Sequence, residues 1–193
     1  MRRRYKIVIA VAVCLSLAAT GAYLYIMWYP LRFGAVVPGS IYRSKQPTAS
    51  QLGRLVRDKG IRTIVRFRTS RSLASDPKVH AEDRFAAQNG LRLVDLALED
   101  PPFEEGIRRL LEILDDAANH PVLLHCNTGV VRTGVAVAVY RMEREGWDPE
   151  DALSEMFRYG LSRHLYAGSR SLKVLVFVAS YRPKHPAGAI ERR

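Results

Sequence analysis

The residues with the most chemistry in this chain lie in one run, His125-Cys126-Asn127-Thr128-Gly129-Val130-Val131-Arg132-Thr133-Gly134. An apolar segment, Pro121 to Leu124, leads into it, and a second, Val135 to Tyr140, follows. Apolar run, polar loop and helix-forming residues in that order predict strand, tight loop and helix. The loop's backbone N–H groups then gather at a helix N-terminus. Unpaired donors and partial positive charge there attract phosphate and lower the pKa of a cysteine. Cys126 is thus the candidate thiolate. Arg132 offers a planar fork that can hold two phosphoryl oxygens, and Gly129 lets the backbone curl around an anion. The predicted chemistry is attack by sulfur on phosphorus inside an oxyanion cradle.

The pattern His-Cys-x5-Arg-Thr-Gly resembles the signature loop of the protein tyrosine phosphatase superfamily. That resemblance implies a phosphocysteine intermediate on Cys126, with Arg132 and the loop from Asn127 through Thr128, Gly129, Val130 and Val131 binding the phosphate. It further implies that His125 orients the loop and that the Thr133 hydroxyl hydrogen-bonds the sulfur. The alternative readings are a buried structural histidine and a helix N-terminal cap. Phosphate transfer also needs a proton for the leaving group, which the superfamily takes from an aspartate on a separate upstream loop. Asp100, 26 residues before Cys126, falls after a predicted strand and before a predicted helix and is the first candidate. Glu99 is the second and Asp95 the third. The superfamily's Trp-Pro-Asp wording is absent, with Leu98-Glu99-Asp100 in its place, and a plain helix cap before Pro101-Pro102 is the competing reading of Asp100.

Members that act on inositol phosphates or phosphoinositides often carry lysines at the variable loop positions. Asn127, Thr128, Val130 and Val131 include none, which points to phosphotyrosine or another simple monoester. Arg43, Lys45, Arg66, Arg68, Arg71, Arg158, Arg163 and His164 are the basic residues available from neighbouring segments. For any one of them an ordinary basic surface is the expected place. Arg66 and Arg68 share a strand face, read first as solvated and second as phosphate-attracting.

The elements that must position this loop alternate. Ala35 to Val37 reads as an edge strand. Thr48 with Gln51 forms a capping box before a helix that Gly60 ends. A strand over Arg62 to Arg68 follows, then a helix from Asp76-Pro77 to Asn89 with Gly90 as its stop. Leu91 to Leu98 is a strand and Phe103 to Ala118 a helix with Ile107, Leu110, Leu111 and Leu114 buried. After the loop come helices over Thr133 to Glu145, Asp148 to Gly160 and Ser169 to Ser180. The last is expected to bury Leu172, Leu175, Val176 and Ala179. This order predicts an α/β fold, a central, mostly parallel sheet flanked by helices with the site at the strand carboxyl ends. The resemblance, over Val37 to Val178, is to the compact, atypical dual-specificity branch of bacteria, plants and fungi, and implies a cysteine-phosphatase fold.

Composition bounds the remainder. The 193 residues carry a net charge of +11. With Arg2, Arg3, Arg4 and Lys6 set aside, the rest still carries +7, which favours anionic partners. The two cysteines, Cys14 and Cys126, suggest no disulfide. From Ile7 to Pro30 there is no charge. Basic residues before it and Tyr23, Tyr25, Trp28 and Tyr29 at its far end predict a transmembrane helix, N-terminus inside and catalytic domain extracytoplasmic. A cleaved signal peptide is the competing reading. The expected division is 1–30 anchor, 31–181 catalytic domain and 182–193 basic flexible tail. The expected function is a cysteine-dependent phosphatase without metal or cofactor, its partners a phosphorylated protein or small phosphate ester, and the membrane through the N-terminal helix. The competing readings are an inositol-phosphate or phosphoinositide phosphatase; a phosphate-binding module with little turnover, against which the intact cysteine, arginine, threonine and upstream acid argue; a sulfur-transfer or arsenate-reducing enzyme; and a nucleic-acid binder, the plain reading of the charge, which predicts binding with steep salt dependence and no phosphatase activity.

Overall fold

The computed structural model describes residues 2–28, 32–68, 76–98, 103–161 and 169–184. Five strands form one sheet in the order β1-β2-β5-β3-β4. They are β1 (Gly34–Val37), β2 (Ile41–Lys45), β3 (Thr63–Phe67), β4 (Arg92–Leu96) and β5 (Val122–Cys126). The pairings β2–β5, β5–β3 and β3–β4 are parallel, and β1 joins antiparallel at the edge. The sheet is therefore mixed but mostly parallel. Register aligns Lys45 and Phe67 with Cys126, and Leu96 with Phe67. Four parallel strands thus end on one row, and the loops beyond them converge as the rule for open α/β sheets requires.

The helices start and stop where side chains satisfy their free ends. For α2 (Ala49–Lys59), Thr48 and Gln51 form both bonds of a capping box, and Gly60 closes the helix in the left-handed conformation. For α3 (Pro77–Gln88), Asp76 caps the N-terminus ahead of Pro77. The next helix, α4 (Glu104–Asp115), is shorter than the periodicity predicts. Asp116 leaves the helix and its carboxylate accepts from Ala118 N, starting a separate short turn over Ala117–Asn119. After the signature loop come α5 (Val131–Arg144), α6 (Pro149–Arg158) and α7 (Ser169–Ser180). Two-residue alternation splits the sheet's side chains between two layers. Tyr42, Ile64 and Leu123 pack with Leu52 and Leu55 of α2. Val65, Phe67, Leu124 and Cys126 pack with α4 and α5 on the other face.

Two expectations are corrected here. Helix α7 buries Ser171, Val174 and Val178, leaving Leu172 57% and Val176 56% exposed; the buried stripe is rotated from the one the pattern suggests, because Val174 and Val178 are the residues that meet the core cluster. Helix α1 (Arg2–Trp28) forms, but among the described residues no helix is long and apolar enough to cross a membrane. The transmembrane anchor is withdrawn, and with it the single-pass membrane placement and the extracytoplasmic location that rested on it.

Candidate active site

Cys126 is the last residue of β5 and is buried. Because β5 is the sheet's central strand, its end sits among the other strand ends, and α5 begins five residues later at Val131. Between them the chain curls back, so that Gly129 N donates to Cys126 Sγ at 3.2 Å. The curl depends on Gly129, whose φ is +71.

The loop's carbonyl oxygens are accounted for one by one. Asn127 O accepts from Gln46 N at 3.4 Å, Thr128 O from Arg32 Nη1 at 2.8 Å, and Gly129 O from Arg43 Nη2 at 3.2 Å. All three donors lie outside the loop. In a trans peptide the N–H points opposite to the C=O. Holding these oxygens outward therefore turns the N–H groups of Thr128, Gly129 and Val130 inward, around the sulfur and the space above it. The arrangement is an anion nest.

The thiol's environment follows from this. Burial pushes the Cys126 pKa up, but the Thr133 hydroxyl and N–H, the Arg132 charge and the Gly129 N–H outweigh it, and the net direction is down. Thr133 Oγ1 is buried and has no oxygen or nitrogen partner among the described residues, and the group it acts on is the sulfur. Arg132 Nη1 donates to Phe67 O at 2.7 Å, and that bond to the end of β3 sets the guanidinium beside the sulfur.

Arg43 and Arg68, expected on the surface, are both buried. The Arg43 guanidinium lies 3.6 Å from the Tyr159 ring centroid, and burial lowers its pKa to about 10, against the opposing charges of Tyr159, Glu155 and Cys126. Arg68 bonds Gln46 Oε1 and approaches Asp76 Oδ2 at 3.4 Å. Burial lowers its pKa as well, the nearby Arg132 adds to that and Cys126 opposes it. Arg66 does not sit on a solvated face either. Its guanidinium binds both Asp95 oxygens, at 2.7 and 2.8 Å, and lies 2.8 Å from Asp83 and 3.5 Å from Glu82. Arg158 is exposed, as a surface residue should be.

Behind the nucleophile, register sets His125 between Ser44 and Arg66, with Asp95 beyond. The imidazole is fully buried, and its Nε2 lies 2.7 Å from Glu82 Oε1 of α3. His125 is thus fixed from the helix layer opposite Cys126.

A family model described as DSP-PTPase phosphatase fused to NAD+ kinase matches residues 38–170. The chain belongs to this phosphatase family. The inositol diphosphatase DSP1 of Oryza sativa subsp. japonica is 32% identical over 140 residues, which cover 69% of this chain and 59% of that protein. The dual specificity protein phosphatase TpbA of Pseudomonas aeruginosa (strain UCBPP-PA14) is 32% identical over 124 residues, 63% of this chain and 51% of its own. The chain spans little more than half the length of these curated relatives. Among solved structures, the core catalytic domain of the S. cerevisiae PP-IP phosphatase SIW14 superposes with a TM-score of 0.64 at 24% identity, over 79% of this chain and 86% of that one. The likeness is one of fold. A P. aeruginosa TpbA structure in complex with phosphotyrosine aligns with a TM-score of 0.52 at 26% identity, over 79% and 98%.

Within this phosphatase fold the loop residues predicted to act together do come together: His125, Cys126, Gly129, Arg132 and Thr133 share one strand–loop–helix turn. The first two candidates for the general acid, Asp100 and Glu99, lie outside the described residues, as do Arg71, Arg163 and His164. Asp95, the third, is taken up by Arg66. Sequence reasoning passed over Arg32, Glu82 and Tyr159. Arg32 carries one legible signal only after the fact, a basic residue in a connector otherwise made of small and apolar ones.

Proposed function

We propose that this chain hydrolyses phosphate monoesters through a phosphocysteine intermediate formed on Cys126. The observation that carries this reading is the Gly129 N–H bond to the sulfur within a loop whose three carbonyls are all held outward. The Cys126 thiolate attacks phosphorus and the ester oxygen departs. The inward N–H groups of Thr128, Gly129 and Val130 and the Arg132 fork stabilise the equatorial oxygens, where negative charge concentrates. Asp100 gives its proton to the departing oxygen, with Glu99 the second choice for that role. In the second step a water attacks phosphorus, the same carboxylate takes the water's proton, and inorganic phosphate leaves as the thiolate is regenerated. Thr133 stabilises that thiolate, and His125 holds the loop. The residues named supply every proton and charge the two steps need. The catalytic unit is assigned to 31–181, with 182–193 a tail.

The lysine-free loop supports a substrate with a single phosphate, phosphotyrosine or a dual-specificity phosphoprotein. A second reading, an inositol phosphate or diphosphate, is favoured by buried Arg68, whose charge is felt by both Arg132 and Cys126, and by the names of several relatives. The test is turnover of an aryl phosphate with a chelator present, followed by a panel of phosphopeptides and inositol phosphates. Loss of turnover in Cys126→Ser is expected; full activity in that variant would sink the mechanism.

A further inference from the structure

We infer that Arg32, which lies outside the family-matched segment 38–170, is a positioning residue for the Cys126 thiolate, acting through the Thr128–Gly129 peptide. Arg32 Nη1 donates to Thr128 O at 2.8 Å. The N–H at the other end of that same peptide, Gly129 N, donates to Cys126 Sγ at 3.2 Å. A peptide polarised at its oxygen by a guanidinium is a stronger donor at its nitrogen. The three groups form one relay, with the cation at the outer end and the sulfur at the inner one.

The backbone carries a second sign of this role. Arg32 has a φ of +47, a conformation that costs a side-chain-bearing residue about 1 kcal/mol or more and persists where surroundings impose it. The side chain runs past Gly160, in the turn after α6, where a Cβ would lie at ordinary contact distance, 3.8 Å from Arg32 Nε. Arg43 grips the next carbonyl, Gly129 O, from a fully buried position, whereas Arg32 is half-buried and can be changed without opening the core. Among the described residues, the other charged groups near the sulfur are Arg43 and Lys45 from β2, Arg68 after β3 and Arg132 from α5, with Glu155 and Tyr159 of the α6 region facing Arg43.

This inference rests on Cys126 being the nucleophile, so its test reads the thiol directly. In the full chain with Cys14→Ser, the rate of Cys126 alkylation by iodoacetamide is followed against pH, with and without Arg32→Gly. Glycine accepts the positive φ, and that relief offsets the lost hydrogen bond to Thr128 O, so the variant is expected to fold with a melting temperature close to the parent's. Its alkylation midpoint should move up by about half a unit to one unit, so that alkylation well below the midpoint slows about three- to tenfold. Arg32→Lys should fall between the two, and added guanidinium should move the Arg32→Gly curve back. An Arg32→Gly curve that superimposes on the parent's overturns the inference and makes Arg32 a surface tether. A parent whose thiol titrates low but which hydrolyses no phosphate ester would defeat the phosphatase reading alone.

Discussion

A methyl group at Gly129 would fall 2.6 Å from Lys45 N and 2.7 Å from Ser44 O, so the signature loop lies directly against the end of β2. Both obstacles are backbone atoms of a central sheet strand, and neither can give way. Gly129→Ala must therefore move the loop, and the positive φ adds to the strain. A shift of about 1 Å in a reacting constellation can cost on the order of a hundredfold in rate. Steady-state kinetics on an aryl phosphate should show that loss mainly in kcat, together with a stability loss of about 1–3 kcal/mol.

The lowered Cys126 pKa has a consequence for stability as well as reactivity. Burial opposes the shift, and Thr133, Arg132 and Gly129 bring it below the ordinary thiol value of 9.0. Between the folded midpoint and 9.0 the unfolded chain binds the extra proton, so stability rises with pH across that window. The contribution is complete above the unfolded value and lost as pH falls through the folded one. Urea unfolding of the parent and of Cys126→Ser should diverge in the parent's favour as pH increases over this range, and the gap should stay constant below it. Thr133→Val, which removes the hydroxyl, should narrow the divergence.

Glu82 is the buried carboxylate between Arg66 and His125, 3.5 Å from one and 2.7 Å from the other. Replacing it by Leu leaves two buried polar side chains facing an apolar group. Breaking a buried pair by removing one partner costs about 3–5 kcal/mol. Arg66 keeps Asp83 and Asp95, so Glu82→Leu should sit near or below the lower end of that range. Asp95→Asn, at a partly exposed carboxylate, should cost less than Glu82→Leu. Chemical denaturation of the two variants ranks them; equal losses would contradict the buried role of Glu82.

Much of this molecule is legible in its sequence where local chemistry decides the outcome. Thr48 with Gln51, Asp76 with Pro77, and Gly60 announce helix ends because capping needs only neighbours in the chain. The signature loop is legible for the same reason: Cys126, Gly129 and Arg132 act within one turn. What was hidden depends on partners distant in sequence. Arg43, Arg66 and Arg68 read as surface charges because arginine usually is one, and only the register that brings Asp95 to Arg66, or the turn that brings Tyr159 over Arg43, gives them an interior place. Arg32 is 96 residues from the carbonyl it holds. Helix α7 fails for a further reason: with Leu172, Val174, Leu175, Val176 and Val178 all apolar, its sequence permits more than one buried face, and packing chooses.

That choice is directly measurable in α7. Val178 is fully buried, whereas Val176 is 56% exposed. Val178→Ala removes buried methyl groups and should cost about 2 kcal/mol. Val176→Ser changes an exposed side chain and should stay within about 0.5 kcal/mol of the parent. Thermal melts of the two variants separate the observed stripe from the alternative one, which predicts the opposite order.

The chain on either side of the proposed general acid is firmly held. Leu98 is fully buried, and Phe103, at a φ of +53, packs edge-on against Phe177 with ring centroids 5.1 Å apart. Helix α4 approaches so closely that a Cβ at Gly106 would lie 2.6 Å from Ala97 O. If Asp100 is that acid, Asp100→Asn should lower kcat by about 10²–10³ for an alkyl phosphate, whose leaving group needs the proton. For p-nitrophenyl phosphate, whose leaving group departs unaided, the loss should be far smaller. Substrate binding should be nearly unchanged in both cases, and the limb of the pH–rate profile that reports the acid should disappear. Should Glu99→Gln give this leaving-group dependence while Asp100→Asn does not, the proton comes from Glu99.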